Sequence, residues 1–207
     1  MRFPGKLRLP ILAATIVLAM AAPVFAHQPF FEDRDFTASA PYRVANPTIS
    51  TAVYAALTSQ DDVDYYAFTG RRGQRILLAM LIPQIDGQKE FAPTMALMGP
   101  GLPATELPIR VIVPRGAGAL ILPPPEGEPT TFYEPFTRTS YWERQEQRVA
   151  LPASGRYVVA VWHPQCQIGR YTFVIGDKER LGGDPAFPFK LRRYWNPLPG
   201  APGGGCE

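Results

Sequence analysis

The sequence reads VDYYAFT at residues 63–69, GRRG at residues 70–73 and QRILLAMLI at residues 74–82. Aromatic and aliphatic runs on either side of a turn with two glycines predict two β-strands joined as a hairpin. The second run is apolar at every position after its first two residues. Such a run is typical of a central strand with one face in the core and the other under a loop or a partner.

Similar runs recur along the chain, separated by glycine, proline, asparagine and aspartate. Regular helical periodicity is missing, so the pattern predicts antiparallel β structure. The predicted strands are Thr48–Leu57, Val63–Thr69, Gln74–Ile82, Thr94–Met98, Ile109–Val113, Ala119–Leu122, Gln147–Leu151, Tyr157–Trp162 and Tyr171–Ile175. A sandwich of two sheets buries strands of this kind, and 207 residues suit a single all-β domain.

Three segments depart from the strand pattern. The proline-rich stretches 99–108 and 123–129 are predicted connections, because proline lacks the amide that a β-ladder needs. An aromatic connection follows at residues 132–142. We assign residues 27–180 to the sandwich and residues 181–207 to a Pro/Gly-rich tail that docks on its own domain or on a partner.

The first 26 residues have the pattern of a secretory signal peptide. A basic start precedes a short apolar run that ends at Val24-Phe25-Ala26, where small residues favour cleavage after Ala26. No other apolar stretch has transmembrane length, so a soluble periplasmic or secreted protein is expected. Without this segment the 21 basic residues fall to 18, equal to the 18 acidic ones, which argues against nucleic acid as a partner.

Two pairs of motifs resemble the bacterial pre-peptidase C-terminal domains. These motifs are Asp62–Phe68 with Gly73–Ile76, and Leu151–Val159 with Gly169–Phe173. The resemblance covers most of residues 48–176 and implies a jelly-roll-like β-sandwich. It also implies an accessory role on secreted enzymes, in substrate or surface binding without catalysis. Unlike the usual members, this chain carries no enzyme domain and has long inserts at 99–108 and 123–146.

Asp61, Asp62 and Asp64 form an acidic cluster at the start of a predicted strand. Carboxylate oxygens gathered in this way can bind Ca²⁺ if further oxygens converge. Alternatively, the aspartates cap backbone amides in a turn. The sequence has no nucleophile elbow, and the zinc, phosphate-loop and dinucleotide motifs are likewise missing. We therefore expect a protein that is not an enzyme.

Cleavage after Ala26 would make His27 the first residue. Its α-amine and ring, with a third nitrogen from His163, could form a T-shaped site of the kind that Cu(II) favours. This arrangement looks like the histidine brace of lytic polysaccharide monooxygenases and periplasmic copper carriers. The alternative is that His163, which precedes Pro164, is an ordinary loop residue. A periplasmic copper-binding protein is thus one alternative function.

The two cysteines, Cys166 and Cys206, fall in the exported part of the chain. An oxidising compartment permits a disulfide between them, which would staple the tail to the domain. A Cys206 that paired with another molecule would instead favour a structural assembly subunit.

The aromatic connection offers the best binding surface that the sequence suggests. Aromatic rings stack on sugar faces or anchor protein interfaces, and they can equally cover the end of a sandwich. We therefore predict an exported, non-catalytic binding protein that contacts a polysaccharide or an envelope protein through this segment. No cofactor is expected apart from the copper or calcium considered above. The candidate contact residues are Phe132, Tyr133, Phe136, Tyr141 and Trp142.

Overall fold

The computed structural model describes residues 27–135 and 137–199, which form strands and one helix. In chain order the strands are β1 Gln28–Phe31, β2 Tyr42–Arg43, β3 Thr51–Leu57, β4 Asp64–Gly70, β5 Arg75–Pro83, β6 Thr94–Gly99, β7 Gly118–Leu122, β8 Thr131–Glu134, β9 Thr139–Ala150, β10 Gly155–Trp162 and β11 Gly169–Ile175. The helix, α1, is Phe187–Tyr194. No helix within the described ranges is long and apolar enough to cross a membrane.

The strands form two sheets. Sheet A has the order β1-β3-β11-β5-β9-β8, and sheet B has the order β2-β4-β10-β6-β7. Neighbouring strands are antiparallel except for two edge pairs, β1 with β3 and β2 with β4, which are parallel. The prediction of a β-sandwich is therefore confirmed, with two mixed edges in place of a purely antiparallel pattern.

The main core lies between the sheets and is built by the alternation of side chains along each strand. Leu97, Tyr157 and Val159 of sheet B and Phe173 of sheet A are completely buried there. Tyr66 packs on Phe173 with ring centroids 4.3 Å apart, which joins the two layers. Residues of this size supply most of the hydrophobic stabilisation of a domain.

Both sheets also bury part of their outer faces. On sheet A, Phe187 and Tyr194 of α1 cover Tyr54 and Ala79. On sheet B, Val111 and other parts of the connection between β6 and β7 cover strands β4, β6 and β10. The prediction that doubly apolar strands lie centrally, under a second layer, is confirmed for β5.

Several local predictions are wrong. Strands β4 and β5 flank the 70–73 turn but belong to different sheets, so that turn crosses between the layers and does not close a hairpin. Residues 109–113 lie in a connection, because Pro108 and Pro114 flank them and cannot donate to a ladder. The aromatic connection is a hairpin of β8 and β9, and β9 begins at Thr139, well before the predicted start at residue 147.

Candidate functional site

Four of the aromatic residues chosen from the sequence lie on described parts of the β8–β9 hairpin, and three of these four are largely covered. Tyr141 is 1% exposed and packs in the cluster beneath α1, where Phe132 joins it. Trp142 packs against the main core. Tyr133 is 56% exposed, and Phe136 lies outside the described residues. Binding through these side chains stays a prediction, and among the described ones Tyr133 offers the most exposed ring.

The three aspartates of the acidic cluster point in different directions. Asp61 is exposed, and Asp62 caps a turn by accepting hydrogen bonds from the Thr58 amide at 2.6 Å and the Thr58 hydroxyl at 3.0 Å. Asp64 is completely buried in β4. The capping role considered from the sequence therefore applies to Asp62, whereas Asp64 belongs to another group of acids.

Asp64 meets two acids from the segment that follows β1. One carboxylate oxygen from each of Glu32, Asp35 and Asp64 lies within 4.8 Å of the others. Glu32 also accepts a hydrogen bond from the Ala56 amide at 2.9 Å, which fixes its carboxylate on sheet A. We call these three residues the acidic triad. Sequence reasoning missed Glu32 and Asp35, because their approach to Asp64 depends on the parallel pairing of β1 with β3.

The buried half of the triad continues into the core through two tyrosines. The Tyr171 hydroxyl donates to Oδ2 of Asp64, and the Tyr66 and Tyr171 hydroxyls lie 2.8 Å apart. Since Tyr171 uses its single hydrogen on Asp64, Tyr66 must donate to Tyr171. Oδ1 of Asp64 is buried without any hydrogen-bond partner. A buried acceptor without a hydrogen-bond partner is unfavourable unless a proton or a cation lies beside it.

Burial raises the pKa of Glu32 to about 7, and nearby acids add to the rise. Burial also raises the pKa of Asp64 well above its usual range, and the charge of Glu32 is the next cause. Two facing carboxylates can form a hydrogen bond only when one of them is protonated. At neutral pH the triad therefore favours a shared proton, or a hard cation that prefers oxygen ligands.

The two histidines chosen for copper lie apart. His27 contacts Ser50, just before β3 begins. His163 stacks on Phe91, and the centroids of the two rings are 5.2 Å apart. The Phe91 ring lies against Gly169, and Gly169 pairs with Leu57 at the other end of β3. The seven residues of β3 span about 20 Å at the usual rise of a strand. The structure thus does not bring the two rings together.

His163 has the environment of a structural loop residue. It is 2% exposed, and its Nδ1 accepts hydrogen bonds from the amides of Gln165 at 3.2 Å and Gln167 at 3.3 Å. Burial, together with the charge of Arg110, lowers its pKa to about 4. The neutral His163 ring therefore stabilises the turn that follows β10, because its Nδ1 accepts hydrogen bonds from two amides of that turn.

Cys166 is buried in that same turn, and its Sγ accepts a hydrogen bond from Arg110 Nη1 at 2.9 Å. Its proposed partner, Cys206, lies outside the described residues, as does the signal peptide. The disulfide therefore stays a prediction.

Residues 106–117, which we call the 106–117 loop, present large apolar side chains to solvent. Ile109 is fully exposed, Ile112 is 61% exposed and Val113 is 38% exposed. Single exposed aliphatic residues are ordinary, whereas three within five positions form a patch. The flanking prolines could have warned that this run is no strand, but the sequence contained no signal for its exposure.

The loop is fastened at two points although its tip is exposed. The Arg110 guanidinium donates to the carbonyl oxygens of Gln60, at 3.0 Å, and of His163. The Ile112 amide donates to the Tyr65 hydroxyl at 2.8 Å, and Val111 between them is buried. These bonds hold the exposed side chains in a defined position over sheet B. A cavity of about 360 Å³ opens beside Ile112.

Comparisons with known proteins give matches among solved structures. The chain is similar to Aeromonas hydrophila PliG, a periplasmic lysozyme inhibitor of g-type lysozyme, at 12% identity and a TM-score of 0.37, over 73% of this chain and 98% of that chain. It is similar to Salmonella Typhimurium PliG, also a periplasmic inhibitor of g-type lysozyme, at 17% identity and a TM-score of 0.34, over 66% and 96% of the two chains.

A third similar structure is the pre-peptidase C-terminal domain of collagenase from Bacillus anthracis, at 13% identity and a TM-score of 0.37, over 65% of this chain and 93% of that chain. This structure comes from the family that the sequence motifs resemble. No family model and no curated protein matches the chain.

Proposed function

We propose that the chain is an exported, non-catalytic binding protein that contacts a protein partner through the 106–117 loop. The observation that carries this proposal is the full exposure of Ile109, with Ile112 beside it, on a loop that Arg110 and Tyr65 hold in place. Exposed aliphatic side chains lose water favourably only when another apolar surface covers them. A loop fixed before binding also loses less entropy in the complex.

A protein is a better partner for this loop than a polysaccharide. Sugar rings bind by stacking on aromatic faces and by hydrogen bonds, and the exposed side chains of Ile109, Ile112 and Val113 offer neither. Protein interfaces, by contrast, have apolar centres with polar rims. Among the described aromatic residues of the β8–β9 hairpin, Tyr133 offers the most exposed ring to a polysaccharide, so the two partner classes are assigned to different residues.

Photo-crosslinking tests the protein contact. Benzoylphenylalanine replaces Ile109 in the exported protein, within the cells that produce it, and replaces Phe189 in a matched control. Phe189 is 83% exposed on α1, which covers the other sheet. We expect an ultraviolet-dependent adduct with one protein from position 109, weakened by the second change Ile112→Ser.

The proposed contact would be refuted if positions 109 and 189 gave the same adducts, or if position 109 gave no adduct. An adduct with a second copy of the chain would instead support the structural assembly subunit. Intact mass of the exported protein tests the predicted cleavage after Ala26.

The acidic triad supports a second activity, binding of one divalent cation such as Ca²⁺. The specific observation is Oδ1 of Asp64, which is buried without a hydrogen-bond partner next to the oxygens of Glu32 and Asp35. In thermal unfolding at pH 7.5, CaCl₂ should raise Tm relative to EDTA, because a ligand that binds the folded state stabilises it. Glu32→Gln should remove the rise, and Asp61→Asn, at an exposed acid outside the triad, should preserve it. Equal Tm in CaCl₂ and EDTA for the wild type would refute cation binding.

A further inference from the structure

The cavity beside the 106–117 loop has an apolar interior. Tyr65 and Val158 of sheet B line it, together with Ile112, Pro100 and Pro114 from the connection that crosses the sheet. Its volume of about 360 Å³ is near the lower end of the range for ligand pockets. The cavity therefore suits an apolar side chain of a partner.

The rim of this cavity is cationic. Arg115 and Arg156 line it, and no carboxylate is among its lining residues. Arg71 and Arg72 lie at the same end of sheet B, because Gly70 pairs with the residue just before Arg156. Within the part of the chain that the structure describes, the ion pairs involve other cations, namely Lys89, Arg148 and Lys190.

This concentration of positive charge is local. Residues 27–207 contain equal numbers of basic and acidic side chains, so the rim is not the product of a basic composition. Arginine binds carboxylates through two parallel hydrogen bonds, which a guanidinium fork provides better than a lysine does. Two arginines at the mouth of an apolar cavity with no carboxylate among its lining residues are complementary to a group that is both apolar and anionic.

We propose that this cavity binds an acidic segment of the partner protein, with an apolar side chain inside and neighbouring carboxylates on Arg115 and Arg156. This inference rests on the proposed function and specifies the partner of the same surface. The carboxylates select the partner and speed its approach, and the apolar side chain supplies the buried contact.

Fluorescence anisotropy with two labelled peptides tests the proposal. One peptide alternates leucine with aspartate between flexible ends, and the other has lysine at each aspartate position. We expect the acidic peptide to bind the wild-type protein about tenfold more tightly or better, and to bind more weakly as salt increases. The double variant Arg115→Glu with Arg156→Glu should lose about tenfold or more of that affinity.

The matched control is Arg192→Glu with Arg193→Glu, two exposed arginines on α1. This double variant makes the same change in net charge on the other side of the sandwich and should bind the acidic peptide like the wild type. Thermal unfolding of both variants verifies that each is folded.

The inference is overturned if the two peptides bind equally well or if the acidic peptide does not bind. It is also overturned if the two double variants lose the same affinity for the acidic peptide. If the position-109 crosslink is retained in any of these cases, this inference fails and the proposed function stands. Loss of the crosslink itself would refute the proposed function.

Discussion

Glu32→Gln should make the protein more stable at pH 8 and should leave its stability at pH 4.5 almost unchanged. The folded protein raises the pKa of Glu32 from its ordinary value of 4.5 to about 7. A raised acid pKa means that the folded state holds a proton that the unfolded chain releases, so stability falls as pH rises through this window. The full shift corresponds to about 3 kcal/mol, at 1.36 kcal/mol per pH unit.

Glutamine avoids this cost because it has no proton to lose. Its oxygen can still accept the Ala56 amide, and its NH₂ group can donate to the Asp64 carboxylate, in place of the proton that Glu32 shares with Asp64 in the wild type. At pH 8 we therefore expect a gain of up to about 3 kcal/mol, which is roughly 6–12 °C in Tm for a domain of this size.

Urea unfolding in EDTA, repeated from pH 4.5 to pH 8, measures this difference. The matched control is Glu126→Gln, at an exposed residue outside the acidic triad, and it should follow the wild type at every pH. If Glu32→Gln and the wild type show the same dependence on pH, the carboxyl is not held protonated by burial and the reasoning is refuted.

Three other predictions test separate parts of the structure. Tyr171→Phe removes the hydroxyl that donates to Asp64 and should cost about 1–3 kcal/mol in urea unfolding; an unchanged midpoint would mean that the bond is absent. Phe187→Ala should cost about 3 kcal/mol or more because this ring of α1 is buried against sheet A, whereas Phe189→Ala should change stability by less than about 0.5 kcal/mol. Similar losses would contradict the docking of the helix. Ile109→Ser should leave Tm nearly unchanged, as expected of a fully exposed side chain, and a large drop would mean that the side chain is buried.

The central strands were predictable because burial on a pleated surface leaves a regular pattern. Strand β5 appears in the sequence as a long aliphatic run, and β10 and β11 appear as β-branched and aromatic runs. The structure places all three inside the sheets. Strands β1 and β2 have four and two residues, too few for a pattern to emerge. Their parallel pairing depends on the rest of the sheet, which supplies the partners.

The sequence of α1 contains few of the local features that predict a helix. It has Pro188 near its start, no side-chain cap and no acid in its first turn. Such a helix is held by tertiary contacts, here Phe187 and Tyr194 against sheet A, and an isolated segment of eight residues would not be stable. The apolar residues of the tail predicted docking on its own domain or on a partner, and they did not predict its helical form.

The site was only half visible in the sequence. Asp64 is in phase with Tyr66 and Phe68 on the inward face of β4, so alternation alone marks it as a buried acid. Glu32 lies far from it along the chain and reaches it only through the fold. The exposure of Ile109 depends on how the 106–117 loop crosses sheet B, which no local pattern reveals.

Because helix α1 follows the strands in the chain, the outer face of sheet A is covered only after the strands have been synthesised. The helix follows β11 in chain order, so the face carrying Tyr54 and Ala79 has no cover until residues 187–194 are available. During synthesis, the sandwich must therefore pass through a stage with this apolar face open to water. A chain that stops before Phe187 would retain that open face permanently and would be prone to self-association, so α1 protects the protein against aggregation.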